Sequence, residues 1–271
     1  MMRSLWTAAS GMKGQQTAID TVANNLANVN TTGYKEQTTQ FKSLLYQTLQ
    51  EKTTTANGET KPTTAQVGLG TRVSSINSIF TDGALLANDS KSAVAISGSG
   101  FFGVQGLNGQ TYYTRNGDFV WALDDNGDSV LTNNMGNPVL DRNGNQIVLA
   151  NGIPTDTVSI SSQGAVAYRN PDGTYTQTGQ NIGLWQFQNP TGLVKERDSL
   201  FAASDASGVP LNEAEGNLIP SRISQGYLEG SNVNVADEMV GMIIAQRAFE
   251  LNSRAITVTD QMLGQANELK R

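Results

Sequence analysis

The sequence predicts an α+β fold in which N- and C-terminal heptad helices pair as a coiled-coil-like core, with a central antiparallel β-rich domain between them. Three observations carry this prediction. Leu5, Met12, Ile19 and Leu26 recur every seventh residue near the start of the chain. Met242, Phe249, Ile256 and Leu263 do the same near its end. Between them, short β-branched and aromatic runs alternate with Asn-Gly and Asp-Gly pairs, which supply the positive φ angles of tight hairpin turns.

The first element, residues 1–33, reads as a core helix. Ala9, Gln16 and Ala23 are expected at the intervening seam positions, with Ala8, Val22 and Ala27 widening the stripe. Lys13, Thr17, Asp20, Thr21 and Asn24 lie opposite. Gln16 and the small alanines would make an isolated two-helix coil weak, which favours packing in a larger bundle or polymer. Gly33 is a suitable left-handed terminator.

Residues 34–66 are expected to be an extended or linking stretch. Phe41, Leu44, Leu45 and Leu49 could line a short helix, but the threonines around them weaken it. Glu51 to Gln66, with Asn57, Gly58 and Pro62, reads as a linker. Residues 67–224 form the expected β domain, with strands such as Val73–Phe80, Phe101–Val104, Thr111–Thr114, Phe119–Leu123 and Ile182–Gln188. Residues 225–233 lead back to the second core helix, residues 234–271.

That last helix has Asn234 as its N-cap, Asp237 and Glu238 in its first turn, and Lys270 and Arg271 at its close, all suited to the helix dipole. At 1.5 Å per residue it is a rod of roughly 50 Å. Beside the heptad residues runs a second apolar stripe through Val240, Ile244, Ala248, Leu251, Ala255, Val258, Met262, Ala266 and Leu269. Two apolar stripes on one helix call for more than one neighbour.

Composition narrows function. The 271 residues carry a net charge of −6 without a basic stripe, which argues against nucleic-acid binding. The chain lacks cysteine, and with it disulfides and thiolate chemistry. It also lacks histidine, and with it His-based triads, His metal ligands and the commonest general base. No apolar run approaches the roughly 20 residues of a membrane span. The opening Met-Met-Arg-Ser-Leu-Trp is not followed by a signal-peptide core, so export would use a route that does not read one.

Motifs for chemistry fail on inspection. Gly98-Ser99-Gly100-Phe101-Phe102-Gly103 has dinucleotide-loop spacing, but no helix can follow to meet a pyrophosphate, so a glycine-bent strand is expected. Asp124-Asp125-Asn126-Gly127-Asp128 and Asp141-Arg142-Asn143-Gly144-Asn145 misplace the glycine of a calcium loop and read as acidic hairpin turns. No catalytic, cofactor-binding or metal-binding residues are expected.

Two blocks carry a resemblance. Ala23-Asn24-Asn25-Leu26-Ala27-Asn28-Val29-Asn30-Thr31-Thr32-Gly33-Tyr34-Lys35 resembles the N-terminal signature of the bacterial flagellar basal-body rod and hook proteins. Gln225-Gly226-Tyr227-Leu228-Glu229-Gly230-Ser231-Asn232-Val233-Asn234-Val235 resembles their C-terminal counterpart, in the form most like the distal rod. Ala95–Phe102 and Tyr113–Phe119 are similar to the family's central β domain, and Val67–Thr71 to the end of an additional stretch in the distal rod.

The resemblance implies a non-enzymatic structural subunit, exported without a cleaved signal by the flagellar type III apparatus. It would polymerise outside the cytoplasmic membrane into a helical, torque-transmitting tube. Leu5, Met12, Ile19, Leu26, Met242, Phe249, Ile256 and Leu263 would pair helices within that tube. The implied partners are further copies of the chain, adjacent rod and hook-family proteins, the export apparatus and ring (bushing) proteins. A proximal-rod or hook-family paralogue, or a coiled-coil cap or adhesin-like module, is the alternative.

Overall fold

The computed structural model describes residues 2–50, 65–124, 127–215 and 218–269. Most of the linker expected at Glu51–Gln66 lies outside the described residues, as do Asp125, Asn126, Lys270 and Arg271. The chain folds into two compact units. One takes the described residues of Met1–Ala27, Gln37–Ser78 and Asn234–Arg271; the other takes Asn28–Glu36 and Ile79–Val233.

The first unit is built on two long helices, α1 (Met2–Ala27) and α2 (Val235–Glu268). Both are free of proline, and α2 starts where expected, since the Asn234 side chain accepts a hydrogen bond from the Ala236 amide. Helix α1 stops at Ala27, short of Gly33. Gly33 does take a left-handed φ of +67°, but in the segment that follows rather than as the helix terminator.

Between the helices in sequence lie β1 (Gln37–Ser43), β2 (Tyr46–Gln50), β3 (Ala65–Gly68) and β4 (Thr71–Ser78). β1 pairs antiparallel with β4, with a register shift between Gln40 and Phe41, and β2 pairs antiparallel with β3. Two of these strands therefore lie in the stretch read as extended or linking. Thr71–Ser78, expected to open the central domain, instead belongs to the helical unit. The short helix considered around Phe41 and Leu49 does not form: alternating Thr, Gln and Ser side chains suit a pleated ribbon better than a helix.

The second unit is antiparallel β. Among the described residues its largest sheet has six strands, in the order Val194–Lys195, Leu200–Ala202, Thr111–Thr114, Phe101–Gln105, Leu184–Gln186 and Leu211–Asn212. Smaller sheets join Phe119–Leu123 to Ser129–Asn133, and Val158–Ile160 to Ala165–Arg169. The glycine-rich run at Gly98 leads into the strand Phe101–Gln105, as expected of a bent strand. Phe101, Tyr113, Trp185, Phe187 and Phe201 form an aromatic core, with Phe80 edge-on to Phe101 and Phe201 at 5.3 Å. A larger aliphatic core gathers around Val94, Phe102, Leu131, Val139, Ile147 and Ile182.

Candidate assembly surface

Helix α1 and helix α2 run antiparallel. Asn25 reaches Glu238, Val22 lies beside Gly241, and Gly11 lies beside Asn252. On α2, Met242, Phe249, Ile256 and Leu263 are all half-buried, as are Leu5, Met12, Ile19 and Leu26 on α1. The other half of the α2 seam differs from the expected stripe. Glu238, Ala245 and Thr259 are buried and Asn252 is half-buried, and with the four apolar residues they complete a four-three heptad spacing. On α1 the intervening positions are Ala8, Gln15 and Val22; Ala9, Gln16 and Ala23 are exposed.

The stripe predicted from apolar character alone therefore faces outward. Val240 is 56% exposed, Ile244 64%, Leu251 65% and Val258 50%. Its residues lie on the arc left over once the seam is occupied, which hydropathy cannot reveal because half the seam is small or polar.

The other side of α1 packs on the β1–β4 ribbon. A Cβ on Gly14 would meet the Phe41 ring at 3.2 Å, and the Thr39 hydroxyl donates to Thr21 Oγ1 at 2.9 Å. Asn25, 1% exposed, joins three elements. Its Oδ1 accepts from the Gln37 amide at 3.0 Å, and its Nδ2 donates to the Gln37 carbonyl at 2.9 Å and to Glu238 Oε1 at 2.8 Å. Burial raises the pKa of Glu238 above the ordinary 4.5; the Asn25 bond opposes that rise and neighbouring Asp237 reinforces it.

The remaining motif residues meet in the second unit. Lys35 Nζ donates to Glu229 Oε1 at 2.7 Å and to the Thr81 carbonyl at 2.6 Å, and both charged side chains are fully buried. Arg115 lies 3.4 Å from the other Glu229 oxygen and donates to the Gly98 carbonyl at 2.6 Å. Its guanidinium sits over the Phe101 ring at 5.1 Å. Burial pulls the Lys35 pKa below 10.5 against the opposing pull of Glu229.

Around this ion cluster the two motif segments are stitched by hydrogen bonds from backbone amides. Gly33 N donates to Glu229 O at 2.8 Å, and Glu36 N donates to Asn232 Oδ1 at 2.7 Å. Asn232 Nδ2 donates in turn to Ile79 O at 2.9 Å. A Cβ on Gly33 would lie 2.5 Å from the Asn116 nitrogen, so only glycine fits. Gly226 also takes a left-handed φ, +75°. Tyr227 is partly exposed, while Leu228, Glu229, Gly230 and Val233 are buried. Asn24 is exposed on α1, and Leu26, Asn28, Ser231 and Asn232 are half-buried. Sequence reading placed Lys35 and Arg115 inside motifs without assigning them a role; a buried cation is detectable only once its carboxylate partner is located.

Among the described residues no group of three or more acidic, histidine or cysteine side chains could hold a metal ion, and no helix is long and apolar enough to cross a membrane. Three family models match in chain order. Residues 5–35 match the flagella basal body rod protein, 95–168 the D1 domain of the flagellar hook protein FlgE/F/G, and 224–269 the C-terminal region of the flagellar basal body rod FlgEFG proteins. The chain is 41% identical to the flagellar basal-body rod protein FlgG of Borreliella burgdorferi, over 100% of both chains. It is 38% identical to that of Agrobacterium fabrum over 96% of this chain and 97% of the relative. To the Bacillus subtilis FlgG it is 37% identical over 100% of both. The solved hook protein FlgE2 of Helicobacter pylori aligns with 65% of this chain and 47% of its own at 15% identity and TM-score 0.23, a likeness too loose to inform the fold. Full-length identity and the three ordered models place the chain: it belongs to the FlgG family of flagellar basal-body rod proteins.

Proposed function

We propose that this chain builds a helical shaft by docking the exposed stripe of α2 onto helices of neighbouring copies, while the α1–α2 seam holds each subunit together. FlgG-family membership makes it a structural subunit of the flagellar rod, in its distal part, and not an enzyme. The observation that supports the docking surface is the solvent exposure of Val240, Ile244, Leu251 and Val258 after α1 has occupied the seam. Fully burying a side chain of this kind stabilises by about 1.5–3 kcal/mol, so a few such anchors per neighbour sustain a polymer. On this reading Leu5, Met12, Ile19, Leu26, Met242, Phe249, Ile256 and Leu263 act in assembly indirectly, by setting the shape of the helix pair that each copy presents.

The finer partners and location follow from the family reading. The subunit leaves through the flagellar export apparatus without a cleaved signal. It then stands outside the cytoplasmic membrane among rod and hook-family neighbours and ring proteins, transmitting torque. The test is Leu251→Asp. We expect the variant to keep wild-type helix content and thermal unfolding as a dilute subunit, and to form no ordered tubes when concentrated. Tubes of normal diameter and yield from Leu251→Asp would overturn the assignment.

A further inference from the structure

We propose that Asn151 is a site of spontaneous deamidation in the folded protein, set apart from its sister Asn-Gly pairs by a glycine amide that is both exposed and without a hydrogen bond. In this reaction the backbone nitrogen after an asparagine attacks the side-chain Cγ. An N–Cγ bond forms and the Cγ–Nδ2 bond breaks. Ammonia departs, taking up the proton lost by the backbone nitrogen. Water then opens the cyclic imide at either carbonyl, giving aspartate or isoaspartate; no oxidant or reductant takes part. Two local conditions control it: the following N–H must be free to lose its proton, and the carboxamide must be free to swing over its own peptide. Glycine in second place removes the Cβ that would block the approach.

Four Asn-Gly pairs lie among the described residues, and three are held. Gly109 N donates to Gly106 O at 2.9 Å, and Gly144 N donates to Asp141 O at 2.9 Å. The Asn143 carboxamide is also tied, through Nδ2, to Asp141 Oδ2 at 3.2 Å. Asn116 Oδ1 accepts from the Thr32 hydroxyl at 3.0 Å and from the Asp118 amide at 3.1 Å, and Gly117 after it is buried.

The pair Asn151–Gly152 alone combines exposure with a glycine amide that makes no hydrogen bond among the described residues. Both residues are exposed, and among the described residues neither the Gly152 amide nor the Asn151 carboxamide takes part in a hydrogen bond. The turn around them is closed by one long bond, Ile153 N to Ala150 O at 3.4 Å. Nothing lies within 4 Å of where a Gly152 Cβ would be. The Asn151 backbone is nonetheless anchored, because its amide donates to Asp128 Oδ1 at 3.0 Å. The backbone stays in place while the carboxamide, which lies beside Gly127, has no hydrogen bond to break before it swings. Conversion would put a second carboxylate beside Asp128, next to the ladder that pairs Ser129 with Leu149.

The test incubates purified full-length protein in mildly alkaline buffer, digests samples over time, and reads each asparagine by fragment-ion mass spectrometry. Asn143 and Asn151 fall in one tryptic peptide, between Arg142 and Arg169, and fragmentation separates them. The expected result is conversion at Asn151 several-fold faster than at Asn108, Asn116 or Asn143, with isoaspartate among the products. In strong denaturant the four rates should converge, and Asn151→Gln should remove the fast phase in folded protein. Conversion of Asn108, Asn116 or Asn143 as fast as Asn151 in folded protein would overturn the proposal. So would an unchanged ranking in denaturant, because the preference would then not come from the fold.

Discussion

Glu229 faces two cations and a backbone amide at once. Its carboxylate takes Lys35 at 2.7 Å and Arg115 at 3.4 Å, both away from solvent, and the half-buried Gly83 amide at 3.0 Å. Removing one partner of such a set strands the others, a loss of about 3–5 kcal/mol. Glu229→Ala should therefore lower the unfolding free energy of the β unit by that order, measured by denaturant unfolding followed through the fluorescence of half-buried Trp121 and buried Trp185. A loss below about 1 kcal/mol, the scale of an exposed ion pair, would show that the cluster is already open to water. Glu238 gives a second residue-scale prediction, with a definite sign. Its folded pKa is raised, so the folded state holds the proton more tightly than the unfolded chain. That contribution to stability is fully present below pH 4.5 and is lost as pH rises through the folded value. Glu238→Gln keeps an acceptor for Asn25 and has no proton to lose. The stability difference between wild type and variant should accordingly change with pH only above 4.5, falling against wild type as pH rises. Parallel curves across that window would remove Glu238 as the cause.

At the scale of elements, the helix pair separates two kinds of apolar residue that look alike in sequence. Ile256 lies in the seam with α1, whereas Leu251 points out. An aspartate in the seam places a charge where desolvation costs several kcal/mol or lifts its pKa. Ile256→Asp should thus melt the α1–α2 pair within the single subunit, seen as lost helical circular dichroism at concentrations too low for assembly. Full helicity in that variant would contradict the seam. Four of the seven-residue repeats on each helix were legible because Leu, Ile, Met and Phe mark them. Their companions Glu238, Asn252 and Thr259 were not, since a polar residue in a seam resembles any solvated position until its partner is known. Strands followed the same logic. Phe101–Val104, Thr111–Thr114 and Phe119–Leu123 were readable from β-branched and aromatic residues between glycine turns. Gln37–Ser43 was not, because its Thr-Gln-Ser face is made by pairing with Thr71–Ser78 rather than by burial. The pairing of Tyr227–Glu229 with Leu85–Ala87 is a contact between residues far apart in the chain, which no local window contains.

For the whole molecule, each unit is discontinuous in sequence, and the β unit is closed by residues 28–36 from near the start of the chain. Lys35 arrives on that segment, as does Gly33 with its bond to the Glu229 carbonyl. A fragment of residues 79–233 would keep both hydrophobic cores but leave Glu229 without its shortest ion pair. We expect this fragment to fold with a melting temperature several degrees below that of the same unit in the full chain. A synthetic peptide of residues 28–36 added in excess should raise it, by the linkage that stabilises any state able to bind a ligand. The same peptide with Lys35→Met should fail to do so. A fragment as stable as the unit in the full chain would mean that the early segment merely decorates it.

The polar residues buried along α2 have a mechanical consequence. A purely aliphatic seam would let one helix slide along the other by a heptad, roughly 10 Å, and find nearly the same packing. Here such a slip would carry Glu238 away from Asn25, leaving two buried hydrogen-bonding groups unmatched, and would move Asn252 off the space beside Gly11. The pair is keyed like a shaft in its collar: axial creep is blocked at a few teeth, while the apolar surface between them remains smooth.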